Sequence, residues 1–175
     1  MPDRTLVLGG ARSGKSLVAE RLFADLPDVV YVATGGQDAG SREWAARIAQ
    51  HRARRPASWG LIETTDLIPL LESSGPPLLI DCLTLWLSQT MDALQIWTNP
   101  GRADVVSRQI AALTAAWAGT SRRVVAVSNE IGGGIVPAEH GTRVFRDLMG
   151  HLNTSISLAS DEVFYSIAGR TLRLT

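Results

Sequence analysis

Short apolar runs alternate along the chain with longer segments in which apolar residues recur every three or four positions. The runs predict buried strands at residues 4–8, 29–34, 59–63, 78–81 and 122–128. The longer segments predict helices at residues 15–25, 41–54, 65–73, from 83 onward, 105–117 and 140–158. Alternation of this kind is typical of an α/β fold with a mostly parallel sheet.

The last two apolar runs differ from the others because only a short turn separates them. Residues 163–168 and 171–174 flank Gly169-Arg170, which is the spacing of a hairpin with a two-residue turn. We therefore expect an antiparallel pair at one end of the sheet.

The composition limits the classes of protein to which this chain can belong. The chain has 175 residues, of which 45% are hydrophobic and 19% charged, so we expect one domain over residues 1–175. The formal net charge of zero gives no sign of a nucleic-acid-binding surface. No apolar run is long enough to span a membrane, no leader pattern precedes the first strand, and Cys82 has no partner for a disulfide. We expect a soluble, cytoplasmic protein.

The first strand leads into a glycine-rich turn that fits the phosphate-binding loop G-x-x-x-x-G-K-[ST]. Its residues are Gly9, Gly10, Ala11, Arg12, Ser13, Gly14, Lys15 and Ser16. In such a loop the backbone N–H groups and the start of the next helix hold a polyphosphate. Lys15, the chain's only lysine among 17 basic residues, would reach the β- and γ-phosphates, and the Ser16 hydroxyl would bind Mg²⁺.

Asp81 ends the apolar strand Leu78-Leu79-Ile80. A carboxylate at that position suits a second magnesium ligand beside the phosphate loop, although many strands end in aspartate without a metal role. Cys82, the next residue, is expected to be a packed small side chain rather than a nucleophile.

The end of the 41–54 segment is strongly basic. His51 lies among four arginines, namely Arg47, Arg52, Arg54 and Arg55. One interpretation is a solvated basic helix end that complements the helix dipole. The other is an anion site, in which the guanidinium groups hold phosphates and favour a neutral, nucleophilic imidazole at His51.

Together, several stretches resemble one family. The loop filling G-G-A-R-S, the segment from Ala45 to Pro56, the run Asp81-Cys82-Leu83-Thr84-Leu85-Trp86 and the glycine-rich run Asn129 to Pro137 are similar to the bifunctional adenosylcobinamide kinase/adenosylcobinamide-phosphate guanylyltransferases of cobalamin synthesis. The resemblance extends over nearly the whole chain. It implies a P-loop NTPase with a RecA-like, mostly parallel sheet flanked by helices, and a homotrimer.

The resemblance also implies two reactions. ATP or GTP phosphorylates adenosylcobinamide, and GTP then guanylylates His51, from which GMP passes to adenosylcobinamide phosphate. It implies nucleotide contacts from the phosphate loop and from Ala33, Thr34, Gly35, Arg52, Ala53, Arg54, Arg55, Glu63 and Asp81. Magnesium is the expected cofactor.

Two other functions fit part of the pattern. A simple small-molecule kinase would use the phosphate loop and Asp81 but would form no covalent intermediate. A nucleotide-dependent switch would move the glycine-rich loop at residues 132–134 with the γ-phosphate, although the chain has no N-K-x-D tetrapeptide for reading guanine.

Overall fold

A computed structural model describes residues 3–35 and 54–174. Most of the predicted 41–54 helix, with His51, lies outside the described residues. Within them, no helix combines the length and the apolar composition that a membrane crossing requires.

In the part of the chain that the structure describes, the core of the fold is a single seven-stranded sheet. Its strands are β1 (Arg4–Gly9), β2 (Val30–Ala33), β3 (Gly60–Glu63), β4 (Leu78–Asp81), β5 (Val124–Asn129), β6 (Glu162–Ile167) and β7 (Arg170–Arg173). They lie in the order β3-β2-β4-β5-β1-β6-β7, and every pair is parallel except β6 with β7. The α/β fold class, the mostly parallel sheet and the antiparallel hairpin at its end are therefore confirmed.

Helices cover both faces of this sheet. They are α1 (Lys15–Arg21), α2 (Leu67–Glu72), α3 (Leu83–Ala93), α4 (Ala103–Gly119) and α5 (His140–Leu158), with a 3₁₀ turn at Pro100–Arg102. Helices α2 to α5 pack with alternate strand residues such as Leu6 and Ile80 in one hydrophobic cluster. Helix α1 packs with the intervening residues, among them Val7 and Leu79, in the other. This alternation explains why the central strands are apolar throughout.

Several predicted boundaries extend too far, most clearly those of the first helix and the fifth strand. The first helix ends at Arg21 rather than at residue 25, because the N–H groups of Phe23 and Ala24 bond three residues back and tighten the chain into turns. The fifth strand begins at Val124 rather than at Arg122, whose buried guanidinium instead donates to the carbonyls of Leu70 and Pro76.

The predicted 65–73 helix and the predicted hairpin turn also shift. Helix α2 begins at Leu67, and the Thr64 hydroxyl accepts from the Asp66 N–H, so Thr65 is not the capping residue. The hairpin turns at Ala168-Gly169, where φ is 50° and 73°, rather than at Gly169-Arg170. Two successive positive φ angles match the twist of a tight hairpin, which explains why the turn lies one residue earlier.

Candidate functional site

The carboxyl ends of the parallel strands bring the predicted site residues to one edge of the sheet. Ala33 at the end of β2 is in register with Glu63 on one side and with Asp81 on the other. Strand β1, which leads into the phosphate loop, is separated from β4 by β5 alone. Asp81 and the loop therefore lie about 10 Å apart in the sheet direction, a distance that a bound triphosphate can bridge. Glu63 is on the outer strand, furthest from the loop.

The phosphate loop has the backbone geometry of an anion-binding turn. Arg12 and Gly14 have positive φ angles of 56° and 97°, which turn neighbouring N–H groups toward a common side. Lys15 is only 5% exposed, and its ammonium donates to the Gly10 carbonyl at 3.0 Å. The lysine side chain thus folds back along the loop that its charge is expected to serve.

The β6–β7 hairpin supports this loop from behind. The Ser13 carbonyl accepts hydrogen bonds from the Ser166 hydroxyl at 2.9 Å and from the Gly169 N–H at 3.1 Å. At Gly9, a Cβ atom would lie 2.4 Å from the Ser166 carbonyl oxygen, so only glycine fits there. Sequence reasoning did not find Ser166, because nothing in a hairpin sequence indicates which distant loop it contacts.

A buried tyrosine forms a hydrogen bond with Asp81. The Tyr31 hydroxyl donates to Asp81 Oδ2 at 2.8 Å, and the tyrosine is 6% exposed. Burial, reinforced by the Asp81 charge, raises the pKa of Tyr31 well above its ordinary value, so the phenol remains a proton donor. From sequence, Tyr31 was predicted only as a residue of a buried strand. Its contact with a polar group could have been expected, because a buried tyrosine hydroxyl needs a hydrogen-bond partner.

Thr34 joins the ends of β2 and β4. Its hydroxyl donates to the Cys82 carbonyl at 2.7 Å and accepts from the Cys82 N–H at 3.0 Å, so it fixes the backbone beside Asp81. Cys82 is buried, and burial together with the Asp81 charge raises the pKa of its thiol to about 11. The expected packing role of Cys82 is confirmed. Ala33 and Gly35 flank Thr34 at the same edge.

Arg54 lies against α1, the helix that follows the phosphate loop, and Arg55 lies against Tyr31 of β2, the strand beside β4. Arg54 donates through two nitrogens to the Glu20 carboxylate on α1, at 3.1 and 3.2 Å, and this bonding raises the pKa of Arg54. The Arg55 guanidinium carbon lies 3.6 Å from the centre of the Tyr31 ring, which is a cation–π contact. His51, Arg52 and Ala53 are outside the described residues.

The oxygen ligands available at this edge suit magnesium. Ser16 offers a hydroxyl and Asp81 a carboxylate, and the described residues contain no cluster of three or more His, Cys, Asp or Glu side chains that could hold an ion. Magnesium is commonly held by one or two protein oxygens, with phosphates and water completing its octahedron. A dedicated cluster of protein ligands is therefore not needed.

The glycine-rich loop after β5 is anchored at its start and along its middle. Asn129 donates its N–H to the Thr84 hydroxyl at 2.8 Å, and its carbonyl accepts from the Asn153 amide at 3.0 Å. Further along, the Arg146 guanidinium on α5 donates to the carbonyls of Gly132 and Ile135. Because the Glu130 N–H donates to the Gly9 carbonyl, this loop begins directly beside the phosphate loop.

Comparison with known proteins identifies similar chains over almost the full length. The family model for cobinamide kinase/cobinamide phosphate guanyltransferase, CobU, matches residues 5–174. The bifunctional adenosylcobalamin biosynthesis protein CobP of Pseudomonas aeruginosa is 41% identical over 98% of this chain and 96% of its own length. The proteins named CobU of Salmonella typhimurium and Escherichia coli are 36% and 34% identical, each over 94% of this chain and 95% of its own length.

Proposed function

Since the chain belongs to the cobinamide kinase/cobinamide phosphate guanyltransferase family, we propose that it performs both reactions in the biosynthesis of adenosylcobalamin. It phosphorylates adenosylcobinamide with ATP or GTP, and it then transfers GMP from GTP to the resulting phosphate. The observation that carries this proposal is a set of contacts that joins the arginines to the phosphate loop's helix and to Asp81. Arg54 binds Glu20 on α1, and Arg55 covers the ring of Tyr31, whose hydroxyl donates to Asp81.

The kinase step follows from the loop geometry. The inward-facing N–H groups hold the β-phosphate, and the Lys15 ammonium moves from the Gly10 carbonyl to the β- and γ-phosphates. The hydroxyl oxygen of the corrinoid's aminopropanol arm attacks the γ-phosphorus as the bond to the bridging oxygen breaks, and the hydroxyl proton is lost. The nucleoside diphosphate leaves with that bridging oxygen.

Magnesium belongs to this step because Ser16 and Asp81 supply the kind of oxygens that it prefers. When bound, it neutralises charge that develops on the β- and γ-phosphates. Asp81 would hold the ion from β4, where its carboxylate also accepts a hydrogen bond from the Tyr31 hydroxyl.

The guanylyl transfer uses His51 as the nucleophile. A ring nitrogen of His51 attacks the α-phosphorus of GTP, and pyrophosphate leaves. A phosphate oxygen of adenosylcobinamide phosphate then displaces the imidazole, so the product is adenosylcobinamide-GDP. Arg54 and Arg55, three and four positions after His51, carry guanidinium charge that would stabilise the α-phosphate in both displacements.

The decisive experiment detects the covalent intermediate. After incubation with GTP and Mg²⁺, the intact chain should gain the mass of GMP and should lose it when adenosylcobinamide phosphate is added. His51→Ala should form no adduct, because the nucleophile is missing.

A matched control is His151→Ala, since His151 is exposed on α5. This variant should form the adduct as the unsubstituted chain does. Undiminished adduct in His51→Ala would remove that histidine from the mechanism. Complete absence of adduct from the unsubstituted chain, with corrinoid phosphorylation retained, would leave a simple kinase.

We also propose a homotrimer in the cytoplasm. The trimer is an extension of the family resemblance, and the cytoplasm is where both nucleoside triphosphates are abundant. Sedimentation equilibrium should give three times the chain mass of 18.8 kDa, and a monomeric mass would contradict the trimer.

A further inference from the structure

Tyr31 lies between two charged groups of opposite sign at the candidate site. Its hydroxyl donates to Asp81 Oδ2 at 2.8 Å, while the guanidinium of Arg55 covers its ring at 3.6 Å from the centroid. The three residues therefore form a chain of direct contacts from the Asp81 carboxylate at the end of β4 to Arg55, the last arginine of the basic stretch. We call this chain the Asp81–Tyr31–Arg55 relay.

The middle member of the relay is held tightly. Tyr31 is 6% exposed and belongs to the α1-side hydrophobic cluster with Val7, Phe23 and Leu79. Packed interiors leave little room for a ring to shift independently of its neighbours. Because the backbone of β2 is also bonded to β3 and β4, the hydroxyl has a fixed position from which it sets the carboxylate plane of Asp81.

A second contact fixes the other end of the relay. Arg54, adjacent to Arg55, forms two bonds to the Glu20 carboxylate, whose residue is 8% exposed on α1. Helix α1 begins at Lys15, so the same short helix carries the phosphate loop's lysine and the anchor for Arg54. Arg55 is thereby held over the Tyr31 ring by a neighbour that is itself fixed to the phosphate-loop helix.

We propose that Tyr31 is a positioning residue that orients Asp81 for the magnesium–triphosphate complex and couples that orientation to Arg55. This inference rests on the proposed function in taking a magnesium-bound nucleotide as the ligand of the phosphate loop and Arg55 as one of the residues that contact its phosphates. A hydroxyl that orients a metal-binding carboxylate acts in the same way as other outer-shell partners, whose loss weakens metal affinity. Because Arg55 stacks on the ring, a shift of Arg55 on contact with phosphate would displace the rigid Tyr31 side chain. That displacement would in turn change the position of the Asp81 carboxylate.

The first experiment removes only the hydroxyl. Tyr31→Phe keeps the ring and its contact with Arg55 but leaves Asp81 without the phenolic donor. With a fluorescent ATP analogue bound at increasing Mg²⁺ concentration, the half-saturating Mg²⁺ concentration should rise by about tenfold. Binding measured in EDTA should not change, because the loop's own contacts remain.

Tyr165→Phe is the matched control. Tyr165, on β6, packs against the other hydrophobic cluster and loses the same hydroxyl in this variant. Its half-saturating Mg²⁺ concentration should equal that of the unsubstituted chain. An unchanged Mg²⁺ requirement in Tyr31→Phe, or an equal change in both variants, would overturn the positioning role.

The second experiment tests the coupling. Arg55→Gln removes the guanidinium from the ring while leaving the Tyr31 hydroxyl in place. For each variant, the fold-increase in half-saturating Mg²⁺ concentration is taken relative to the unsubstituted chain. If the relay operates, the fold-increase of the double variant Tyr31→Phe/Arg55→Gln should be well below the product of the fold-increases of the two single variants. Strictly multiplicative effects would overturn the coupling between Arg55 and Asp81.

Thermal unfolding of each variant without nucleotide supplies the folding reference. A rise in the Mg²⁺ requirement with an unchanged melting temperature supports positioning, whereas a rise that merely follows lost stability overturns it. Because ATP binding is measured without a corrinoid and without the His51 adduct, the outcome is independent of whether guanylyl transfer occurs. A chain that binds ATP with magnesium but forms no adduct would contradict the proposed function and leave this inference standing.

Discussion

Lys15 illustrates how much one side chain depends on its surroundings. It is the chain's only lysine, it is 5% exposed, and its ammonium donates to a carbonyl of its own loop. A compact ammonium on an unbranched stem can leave that carbonyl for a phosphate with little rearrangement. A planar guanidinium is larger and has fixed donor directions, so it does not suit the same space.

We therefore expect Lys15→Ala and Lys15→Arg both to lower kcat for corrinoid phosphorylation by at least about 100-fold. The first variant loses the positive charge that would face the developing γ-phosphate charge, and the second keeps that charge on a planar group that does not suit the space. Steady-state kinetics with ATP would measure this. Arg21→Ala, at the exposed end of the same helix, is the control and should retain full activity. Activity of Lys15→Arg close to that of the unsubstituted chain would refute the argument from shape.

At the scale of residues, sequence reasoning identified the groups that belong to a motif and missed those that act on them. Lys15, Ser16 and Asp81 are recognisable because their chemistry requires a fixed order along the chain. Tyr31 and Glu20 are not, because their roles depend on which elements become neighbours in space. His51 stays a prediction, since it lies outside the described residues.

Among the elements, the phosphate loop depends most on its neighbours. Gly9 has no room for a side chain, because a Cβ would lie 2.4 Å from the Ser166 carbonyl and 2.5 Å from the Ser13 hydroxyl oxygen. Gly14 differs, since the nearest atom to its Cβ would be 3.6 Å away but its φ is +97°. The first glycine is needed for packing and the second for backbone conformation.

The two glycines should therefore respond differently to alanine. At Gly14 there is room for a methyl group, so Gly14→Ala incurs only the strain of a left-handed backbone conformation, which costs about 1–2 kcal/mol. Gly9→Ala must push β6 or the loop aside and should cost about 3 kcal/mol or more, with loss of ATP binding. Urea unfolding of the two variants, with ATP titration of each, would measure both effects. Equal losses of stability would show that the loop and the hairpin are not packed as described.

The ends of the helices and turns show where the local sequence pattern is sufficient to predict a boundary. Helices α4 and α5 extend close to the predicted 105–117 and 140–158 because their apolar spacing is long and regular. Helix α2 and the hairpin turn shift by one or two residues, since a threonine hydroxyl and a pair of positive φ angles decide them. Short elements contain too few apolar positions for their ends to be predicted from sequence.

At the scale of the whole molecule, an ion pair links the beginnings of β1 and β6. It lies at the edge of the sheet opposite the candidate site. Arg4 binds Asp161 through Nε at 3.1 Å and through a terminal nitrogen at 2.9 Å, and its backbone N–H donates to the same carboxylate. These bonds lower the pKa of Asp161 from its ordinary value of 3.8 to about 2. The carboxylate side chain is 42% exposed, so solvent screening limits its contribution to stability.

We expect Asp161→Asn to destabilise the fold by about 1 kcal/mol at pH 7, after that screening. A carboxyl group with a lowered pKa stabilises the fold above its unfolded pKa and loses the effect as the pH falls through its folded pKa. The difference between variant and unsubstituted chain should therefore be constant above about pH 5 and shrink between pH 4 and pH 2. Urea titrations at several pH values would measure it.

Asp104→Asn is the control for this pH series. Asp104 pairs with Arg108 one turn along α4, where both side chains are more than half exposed. Its loss should change stability less than the loss of the Asp161 carboxylate does, because solvent screens this pair more strongly. A pH-independent effect of Asp161→Asn would mean that its carboxylate charge does not contribute to stability.

On this largest scale, the fold class followed from the sequence but the strand order did not. Alternating strands and helices require a mostly parallel sheet, because a parallel connection needs a crossover. Which strands become neighbours depends on how the helices divide between the two faces, and apolar runs in buried strands carry no such information. Placement of β5 between Asp81 and the phosphate loop was therefore visible only in the structure.

The bonds from Ser166 and Gly169 to the Ser13 carbonyl also concern how the molecule is made. The ribosome synthesises the phosphate loop 153 residues before its hydrogen-bonding partner in β6. Between these two points of translation, the nascent polypeptide carries a loop whose supporting hairpin does not yet exist. Capture of a nucleotide must then await the synthesis of β6, so a ribosome stalled before β6 would display a chain that cannot yet hold ATP.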